Sequence, residues 1–539
     1  MATPQHNYLK RKVRLEKLSD KQARHSNRIS NLRLLTFVAG LGLALFLYAQ
    51  NTLIGFGVFA VALVLFTYLV IVHSKVSTQK KLSSALKLIN ENSLKRLSGE
   101  WVTFPDTGEE MKDAQHPYSG DLDLFGKASL FQLTNTTQTF LGRERLKLSL
   151  IAPEKNKAGI IRRQEAIAEL SKQITWRQRL IAEGMVIVDK LHDPEPLFQW
   201  ARQKNIFYRQ RWVKYLFRTL PVLTSLLILG HFLVFGIPLW VPVLALICQF
   251  VLLIVSGKDR GQAFKTVYTY EGNIKIYAKI LKLLEDRKFT SPLLQELQAG
   301  LKNKEKQPAY LQVKKLSKLV DSLSNRNNAM FFLVNILTLW DYQCMIALEE
   351  WKAESGKLLS NWLSAVGEVE SLASLAALSF DNPDWTIPEV TDGPPVYSSK
   401  GLGHPLLSKS RIANDIKIDP SSGILLITGS NMSGKSTLLR TVGINLVLAY
   451  AGAPVCAQTL RCSLMSLYSC MRISDNLEQS ISSFYAELLR IKLIVQAAEK
   501  EKQVFFLLDE IFKGTNSQDR HTGAKLLNKQ LGKRGALGM

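Results

Sequence analysis

The 539-residue chain has few cysteines and few acidic residues, and each shortage limits the kinds of site and partner that the protein can have. None of its five cysteines forms a Cys-x-x-Cys pair, so neither a disulfide framework nor a zinc site is expected, and a reducing compartment fits. Asp and Glu number 45 against 69 Lys and Arg, a formal net charge of +24. This excess suits a polyanion or an anionic membrane surface as partner. With 46% hydrophobic residues, the chain has material for several packed domains.

Charge is missing altogether from two stretches, residues 34–73 and 219–257. Each divides into two apolar runs near the short end of bilayer-spanning length, at Gln50-Asn51-Thr52 and at Phe235-Gly236-Ile237-Pro238. The sequence therefore predicts four transmembrane helices in two hairpins. A pair of buried soluble helical hairpins is the alternative.

Residues 1–33 form a basic arm with nine Lys and Arg against two acidic residues, whereas the turns inside both predicted hairpins are uncharged. The positive-inside rule then predicts a multi-pass protein of the cell (inner) membrane with its soluble domains in the cytoplasm. The arm is interpreted as a topology signal. Binding to anionic lipid or to nucleic acid is the alternative.

Residues 258–380 are predicted to be antiparallel packed helices or a lever-like arm. The apolar positions Val267, Tyr270, Ile274, Tyr277, Leu281 and Leu284 follow a 3-4 spacing that predicts one stripe along a long helix. The apolar segment 329–340 is too short to span a bilayer and is predicted to be a buried core helix. Prolines after Asn382 end the helical pattern, so 381–400 is predicted to be a linker before a C-terminal domain, 401–539.

A glycine-rich loop follows a predicted strand at 423–428 and precedes a predicted helix, in the pattern Gly-x-x-x-x-Gly-Lys-Ser. In this context the pattern predicts a P-loop whose backbone N–H groups bind the phosphates of a nucleotide. Lys435 would reach the β- and γ-phosphates, and Ser436 would ligate Mg²⁺. The predicted nucleotide-binding residues are Gly429, Ser430, Asn431, Met432, Ser433, Gly434, Lys435, Ser436 and Thr437.

Two carboxylates follow a second predicted strand, at 504–508. Asp509 is predicted to support the Mg²⁺ ion together with Ser436, and Glu510 to orient the attacking water. An acidic strand end that caps the next helix is the alternative.

These motifs together resemble the MutS family of mismatch-repair ATPases. The resemblance rests on TGSNMSGKSTLLR, AGAPVCA, DNLEQSISSFYAEL and LLDEIFKGTNSQDR in the C-terminal domain, and on DLDLFGKASLFQLTNTTQTFLGRERLKLSLIAP and LGHPLL upstream. It implies an α/β P-loop ATPase domain of the ABC/MutS type, preceded by an all-α MutS-like core whose two parts are residues 75–214 and 258–380. It also implies a homodimer formed through the ATPase domain, with ATP, Mg²⁺ and DNA as ligands. The predicted hairpins and the basic arm add membrane lipid as a partner.

The resemblance implies that a serine-bearing loop completes the partner subunit's site. Ser480, Ser482 and Ser483 match that loop, so Ser482 and Ser483 join Lys435 and Glu510 as candidate catalytic residues. A helix N-cap is the alternative for Ser482 and Ser483. His404 is interpreted as a turn residue. Arg411 stands where family members have an aromatic residue, and adenine stacking on it is a hypothesis.

Three departures limit what the resemblance implies. The family's mismatch-reading Phe-x-Glu motif does not occur in the chain, so mismatch-specific reading is not expected. The hairpin at 219–257 interrupts the helical core. The chain stops at Met539 in a segment that resembles the start of a strand, so a C-terminal continuation with the family's switch histidine is expected. An ABC-type transport ATPase and a nucleotide-binding membrane scaffold are the rival functions. The missing Leu-Ser-Gly-Gly-Gln motif speaks against the first, and the Asp509-Glu510 pair against the second.

Overall fold

The computed structural model describes residues 3–186, 191–233, 236–255, 257–303, 305–324, 331–407, 411–430, 432–472, 483–501 and 503–539. The described chain is mostly helical, with two small sheets in its C-terminal part. The order of the predicted regions, helical first and mixed α/β last, is confirmed at this level.

The chain begins with a long antiparallel helical hairpin, here called hairpin A, made of α1 (Pro4–Gln50) and α2 (Thr52–Ser98). The turn lies where the sequence predicts it. The side chain of Asn51 accepts hydrogen bonds from Leu53 N (3.0 Å) and Ile54 N (3.3 Å), and so caps α2. The basic arm is not a separate element, because α1 runs through it into the apolar stretch without a break.

The first part of the helical core follows, and a second hairpin then interrupts it. The core helices are α3 (Leu130–Thr134), α4 (Phe140–Ile151), α5 (Lys157–Ser171), α6 (Ile174–Met185) and α7 (Glu195–Arg202). Hairpin B is made of α8 (Arg211–Leu233) and α9 (Trp240–Ile254), which pack on each other.

The second part of the core contains seven helices in the described residues. They are α10 (Gly257–Thr269), α11 (Glu271–Glu285), α12 (Pro292–Ala299), α13 (Ala309–Ser324), α14 (Phe331–Thr338), α15 (Trp340–Trp351) and α16 (Leu359–Asp381). All six residues of the predicted stripe are buried, which confirms the stripe, but the helix is interrupted at Tyr270 between α10 and α11. α16 packs against α4 and α5 and is buried along most of its length.

The prediction of a buried core helix within 329–340 is wrong. No residue of α14 is buried, and α14 packs beside α8 and α9 of hairpin B. The chain then turns at Leu339, whose backbone is left-handed (φ +49°), and the axis bends by 70° into the largely buried α15.

The C-terminal part holds both sheets. Its elements are β1 (Glu389–Thr391), β2 (Tyr397–Leu402), β3 (Asn414–Ile418), α17 (Lys435–Tyr450), β4 (Thr459–Ser463), β5 (Ser466–Cys470), α18 (Ser483–Lys500), β6 (Val504–Leu508), α19 (Ser517–Lys533) and β7 (Leu537–Gly538). One sheet has the order β1-β4-β2-β3, and the other is parallel with the order β5-β6-β7.

Two expectations for this part need correction. The segment 381–400 is not only a linker, because it contributes β1 and the start of β2 to the first sheet. The strand predicted at 423–428 is reduced to one parallel bridge between Ile424 and Gly538, which places this segment beside β7. The strand predicted at 504–508 is confirmed as β6.

Four described helices are long and apolar enough to cross a membrane by length and composition: α1, α2, α8 and α16. In α16 most of the apolar window, 78%, is buried inside the fold, whereas the windows of the other three are 6–11% buried. Two bent pairs, α9 with α10 and α14 with α15, pass the same test only when each pair is taken together. Apolar surface is therefore exposed mainly on the two hairpins.

Candidate functional site

A glycine-rich loop leads into α17 and forms the centre of the predicted site. Gly434 has a left-handed backbone (φ +91°) and directly precedes Lys435, the first residue of the helix. The ammonium group of Lys435 folds back and donates hydrogen bonds to the carbonyl oxygens of Gly429 (2.8 Å) and Ser430 (2.7 Å). Since Leu438 N makes its hydrogen bond to Gly434 O, the N–H groups before it have no acceptor within the helix and suit an anion.

The other predicted nucleotide-binding residues lie in the first turn of α17 or in the loop before it. Ser436 and Thr437 lie in the first turn of α17. Met432 is fully exposed with a left-handed backbone (φ +64°), and Ser433 N donates to Ser430 O (3.4 Å). Asn431 lies outside the described residues.

The two predicted carboxylates follow β6, as expected. Asp509 N donates to Cys470 O at the end of β5 (3.0 Å). Glu510 has a left-handed backbone (φ +46°), and its Oε2 lies 2.6 Å from Nζ of Lys513. The hydrogen bond and charge of Lys513 hold the pKa of Glu510 below its ordinary value, and the charge of Lys435 acts in the same direction. The carboxylate of Glu510 thus lies within reach of the charge of Lys435.

The alternative of an acidic helix cap does not describe this pair. The cap of α19 is Asn516, whose side chain accepts a hydrogen bond from Asp519 N (2.8 Å). Asp509 and Glu510 stand well before that cap, at the carboxyl end of a parallel strand, where α/β sheets place their ligands.

A buried carboxylate on α18 supports the turn after Glu510. Glu487 is buried and accepts a hydrogen bond from the backbone N–H of Phe512, a residue with a left-handed backbone (φ +61°). Arg520 donates to the carbonyl oxygens of Phe512 (3.3 Å) and Thr515 (3.3 Å) from the other side. The position of Glu510 therefore depends on α18, the helix that follows the predicted serine loop.

Hydrogen bonds and an ion pair connect the first part of the helical core to the sheet that carries the site. These contacts were not predicted from the sequence. Asp121 accepts hydrogen bonds from Ser469 Oγ (2.6 Å) and Arg472 N (2.9 Å) at the end of β5. Asp123 pairs with Arg472 (2.5 Å) and lies 3.9 Å from Arg440 of α17. The signal was present in the quoted DLDLFG motif, but nothing in the sequence identifies its partners.

The segment before the loop is fixed by α17. Buried Asn445 donates to Gly403 O (3.1 Å) and accepts from Cys456 N (2.8 Å). His404 Nδ1 accepts from Leu406 N (3.3 Å), a local bond that fits a turn residue, and burial lowers the pKa of His404 to about 4. Arg411 lies over the ring of Trp385 (5.7 Å), so its guanidinium already has an aromatic partner within the chain.

The predicted serine loop is only partly described. Ser480 and Ser482 lie outside the described residues, and α18 begins at Ser483. Among the described residues, no group of three or more His, Cys, Asp or Glu side chains forms a ready metal site. Ser436 and Asp509 alone do not make such a group, and a metal bound with nucleotide would take its further ligands from phosphate and water.

A family model described as MutS domain V matches residues 425–535, which include the loop, α17, α18 and both carboxylates. This part of the chain is therefore similar to MutS domain V. Curated relatives agree: the chain is 29% identical to DNA mismatch repair protein MutS of Aquifex pyrophilus over 195 residues, 35% of this chain and 22% of that protein. The resemblance to the MutS family is confirmed.

Other MutS proteins match a shorter or a longer part of the chain. Identity is 34% over 176 residues to MutS 1 of Halobacterium salinarum, 32% of this chain and 20% of that protein. It is 26% over 439 residues to MutS of Persephonella marina, 73% of this chain and 48% of that protein. The chain thus spans less than half the length of these relatives. The longer match extends the likeness beyond domain V.

Proposed function

We propose that this protein is a membrane-anchored, MutS-like ATPase that binds and hydrolyses ATP as a dimer and couples this cycle to DNA. The observation that carries the proposal is the pairing, within one MutS domain V, of a P-loop at the start of α17 with Glu510 after β6. Lys435 is among the charges that lower the pKa of Glu510, which supports placing the two in one site.

The residues around the loop fit a nucleotide triphosphate with Mg²⁺. The first turn of α17 offers N–H groups and a helix dipole to the phosphates, and Lys435 supplies a positive charge. Ser436 and Asp509 would hold the Mg²⁺ ion, which neutralises phosphate charge when bound. Glu510 is exposed, and Lys513 keeps it ionised, so it suits a residue that orients and polarises a water molecule.

The dimer and the DNA partner are supported by the family. The curated relatives are named as DNA mismatch repair proteins. A net charge of +24 suits contacts to the phosphate backbone, which would be strongly salt-dependent. Ser482 and Ser483 would act across the dimer. No residue that reads a mismatch is assigned.

Membrane anchoring is supported by the two hairpins. Three of their four helices pass the length and composition test alone, and their apolar windows are almost entirely exposed. With the basic arm and all other domains on one side of the two hairpins, the positive-inside rule supports a cytoplasmic ATPase domain in a protein of the cell (inner) membrane.

The test is steady-state ATP hydrolysis by the full-length natural protein in detergent, with and without branched, mismatched and plain duplex DNA. Glu510→Gln is expected to lose at least about tenfold in turnover, since a positioned general base contributes on the order of 10²–10⁴-fold. ATP binding should persist in this variant. The exposed Glu389 on β1, remote from the loop in sequence, provides the matched control Glu389→Gln, which should hydrolyse ATP normally.

Equal turnover in the wild type and Glu510→Gln would refute the proposed catalytic role. Turnover that needs Glu510 but ignores every DNA form would keep the ATPase and reject the coupling to DNA. A protein that binds nucleotide without measurable turnover would instead match the scaffold alternative.

A further inference from the structure

The short helix α14 is apolar, uncharged and exposed. It has eight residues, Phe331–Thr338, and none is buried or charged. Phe332, Leu333 and Val334 expose 55%, 60% and 45% of their surface. Soluble proteins seldom expose consecutive large apolar side chains, so this helix calls for an apolar partner.

The neighbours of α14 indicate which partner that is. α14 packs beside both α8 and α9, and the ring of Phe332 lies 6.0 Å from the ring of Phe250. Phe250 is four residues before Ile254, the last residue of α9, or about 6 Å along the helix axis. The apolar surface of α14 is therefore continuous with hairpin B, at the end of α9 that the topology puts on the cytoplasmic side.

The polar side chains of α14, Asn335 and Thr338, both form hydrogen bonds close to the helix, which suits a lipid environment. The hydroxyl of Thr338 donates to Val334 O (2.7 Å), and the side chain of Asn335 accepts from Asp341 N (3.0 Å). Asn335 O accepts from Leu339 N (2.8 Å) where the chain turns away into α15. The helix thus exposes apolar side chains and few free polar groups.

We propose that α14 lies in the cytoplasmic leaflet beside hairpin B, as a third membrane-contacting element that enters the lipid and leaves on the same side. The inference rests on the proposed membrane role of hairpin B. The exposed apolar face of α14 would contact the acyl chains of the lipid. A spanning helix is excluded by the length of α14 and by the 70° bend into buried α15.

The experiment is site-directed spin labelling of the protein in lipid nanodiscs, with collisions measured against oxygen, which concentrates in lipid, and against a water-soluble nickel chelate. The label is placed at Leu333→Cys in a Cys248→Ala background, because Cys248 is the exposed one of five cysteines and the other four are buried. Leu311→Cys on α13 is the matched control, since Leu311 is also exposed but lies far from hairpin B along its helix. Leu244→Cys on α9 reports hairpin B itself.

Lipid contact predicts an oxygen-to-nickel collision ratio several-fold higher at Leu333 than at Leu311, and close to the ratio at Leu244. Leu337→Cys, on the same exposed helix, should behave like Leu333 and serves if the first label disturbs packing. A ratio at Leu333 equal to that at Leu311, with Leu244 in lipid, overturns the inference and leaves the hairpin standing. Protection from both reagents, with spin coupling between subunits, overturns it in favour of a second copy of the chain. A water-exposed Leu244 contradicts the proposed membrane hairpin as well.

Discussion

The two hairpins meet the rest of the protein through different kinds of contact. At the base of hairpin A the bonds join side chains: Tyr8 of α1 donates to the carboxylate of Asp381 (2.6 Å), the last residue of α16. Arg11 of α1 donates to Gln178 (2.9 Å), and Asn90 of α2 exchanges hydrogen bonds with the same residue. Hairpin A is therefore held mainly by buried hydrogen bonds between side chains, beside a small apolar cluster that α2 forms with α6.

At the base of hairpin B, by contrast, backbone carbonyls of the hairpin itself are acceptors, beside the ion pair of Lys214 with Glu350 (2.5 Å). Arg260 of α10 donates to Leu253 O and to Val255 O (2.9 Å). Tyr342 of α15 donates to Leu252 O (2.7 Å) and stacks on the ring of Phe217 of α8, with ring centroids 3.8 Å apart. These contacts satisfy carbonyl groups that the end of α9 leaves without helical partners.

Hairpin A is therefore docked, meaning that bonds between side chains attach it to the core. Hairpin B is built in, meaning that core side chains complete the hydrogen bonds of its own helix end. The bonds of hairpin A can break without changing either helix of the hairpin, and they end on Asp381, just before the sheets of the C-terminal part. Those of hairpin B complete a helix end, so losing them frays α9. We expect changes at Asp381 to release hairpin A as a unit, and changes at Arg260 to act locally.

The largest effect is expected for Asp381→Ala. The variant leaves the Tyr8 hydroxyl and the nearby charges of Arg96 and Arg177 without their carboxylate, at a cost of about 4 kcal/mol in the free energy of unfolding. Hydrogen–deuterium exchange should rise in 4–33 and 74–98 but not in hairpin B. Asp384→Ala, three residues on and exposed, is the control. Equal exchange in both variants would contradict a docked hairpin.

The titration of Asp381 should also make the free energy of unfolding depend on pH, with a slightly smaller effect. Burial raises the pKa of Asp381 to about 6 from its ordinary value of 3.8, against the opposing effects of Tyr8, Arg96 and Arg177. Between these values the folded protein keeps a proton that the unfolded chain releases, so the free energy of unfolding falls as the pH rises from about 4 to about 6. The fall amounts to about 3 kcal/mol at most.

The measurement is the apparent thermal midpoint of the wild type and of Asp381→Asn across this pH range. Subtracting the midpoint of the variant from that of the wild type at each pH cancels the contribution of all other titrating groups. Parallel curves would show that Asp381 does not titrate there.

On hairpin B, Arg260→Met should cost about 2 kcal/mol, because two carbonyl groups at the end of α9 lose a charged donor. Hydrogen exchange should rise in the last turn of α9 alone. Lys265→Met, on the exposed side of α10, should leave that turn protected. Exchange that spreads over all of hairpin B would remove the distinction between the two hairpins.

The smallest effect is expected for Tyr342→Phe, which removes one neutral hydrogen bond to Leu252 O and keeps the ring on Phe217. The loss should be about 1 kcal/mol in the free energy of unfolding. Tyr268→Phe, at an exposed position of α10, is the control and should not change the thermal midpoint. If Tyr342→Phe lost more free energy of unfolding than Arg260→Met, the predicted order of the two effects would be wrong.

Local patterns in the sequence predicted what depends on neighbours along the chain. The turn at Asn51, the start of α17 after Gly434 and the strand before Asp509 all follow from residue type and spacing. Hydrophobicity alone could not separate α14 from a core helix, because both are apolar and only tertiary packing decides burial. The stripe through Tyr270 likewise predicted the buried face correctly but could not show the break between α10 and α11.

Side-chain partners distant in sequence were beyond prediction. Asp121 meets Arg472, and Tyr8 meets Asp381, across several hundred residues. Neither pair has a spacing rule, because tertiary folding brings them together. Glu487 was noted only as part of a motif, and its bond to Phe512 N emerges from the fold.

The unbroken length of α1 gives hairpin A a mechanical property. With 47 residues and no interruption between the docked end at Tyr8 and the tip at Asn51, the helix is a stiff rod about 70 Å long. A rotation of only about 5° at its base would displace the far end by about 6 Å over that length. If a bilayer fixes the far end, the same small rotation must instead tilt the domains at the base of the hairpin. Hairpin A is then a lever whose pivot lies beside Asp381, the last residue of α16.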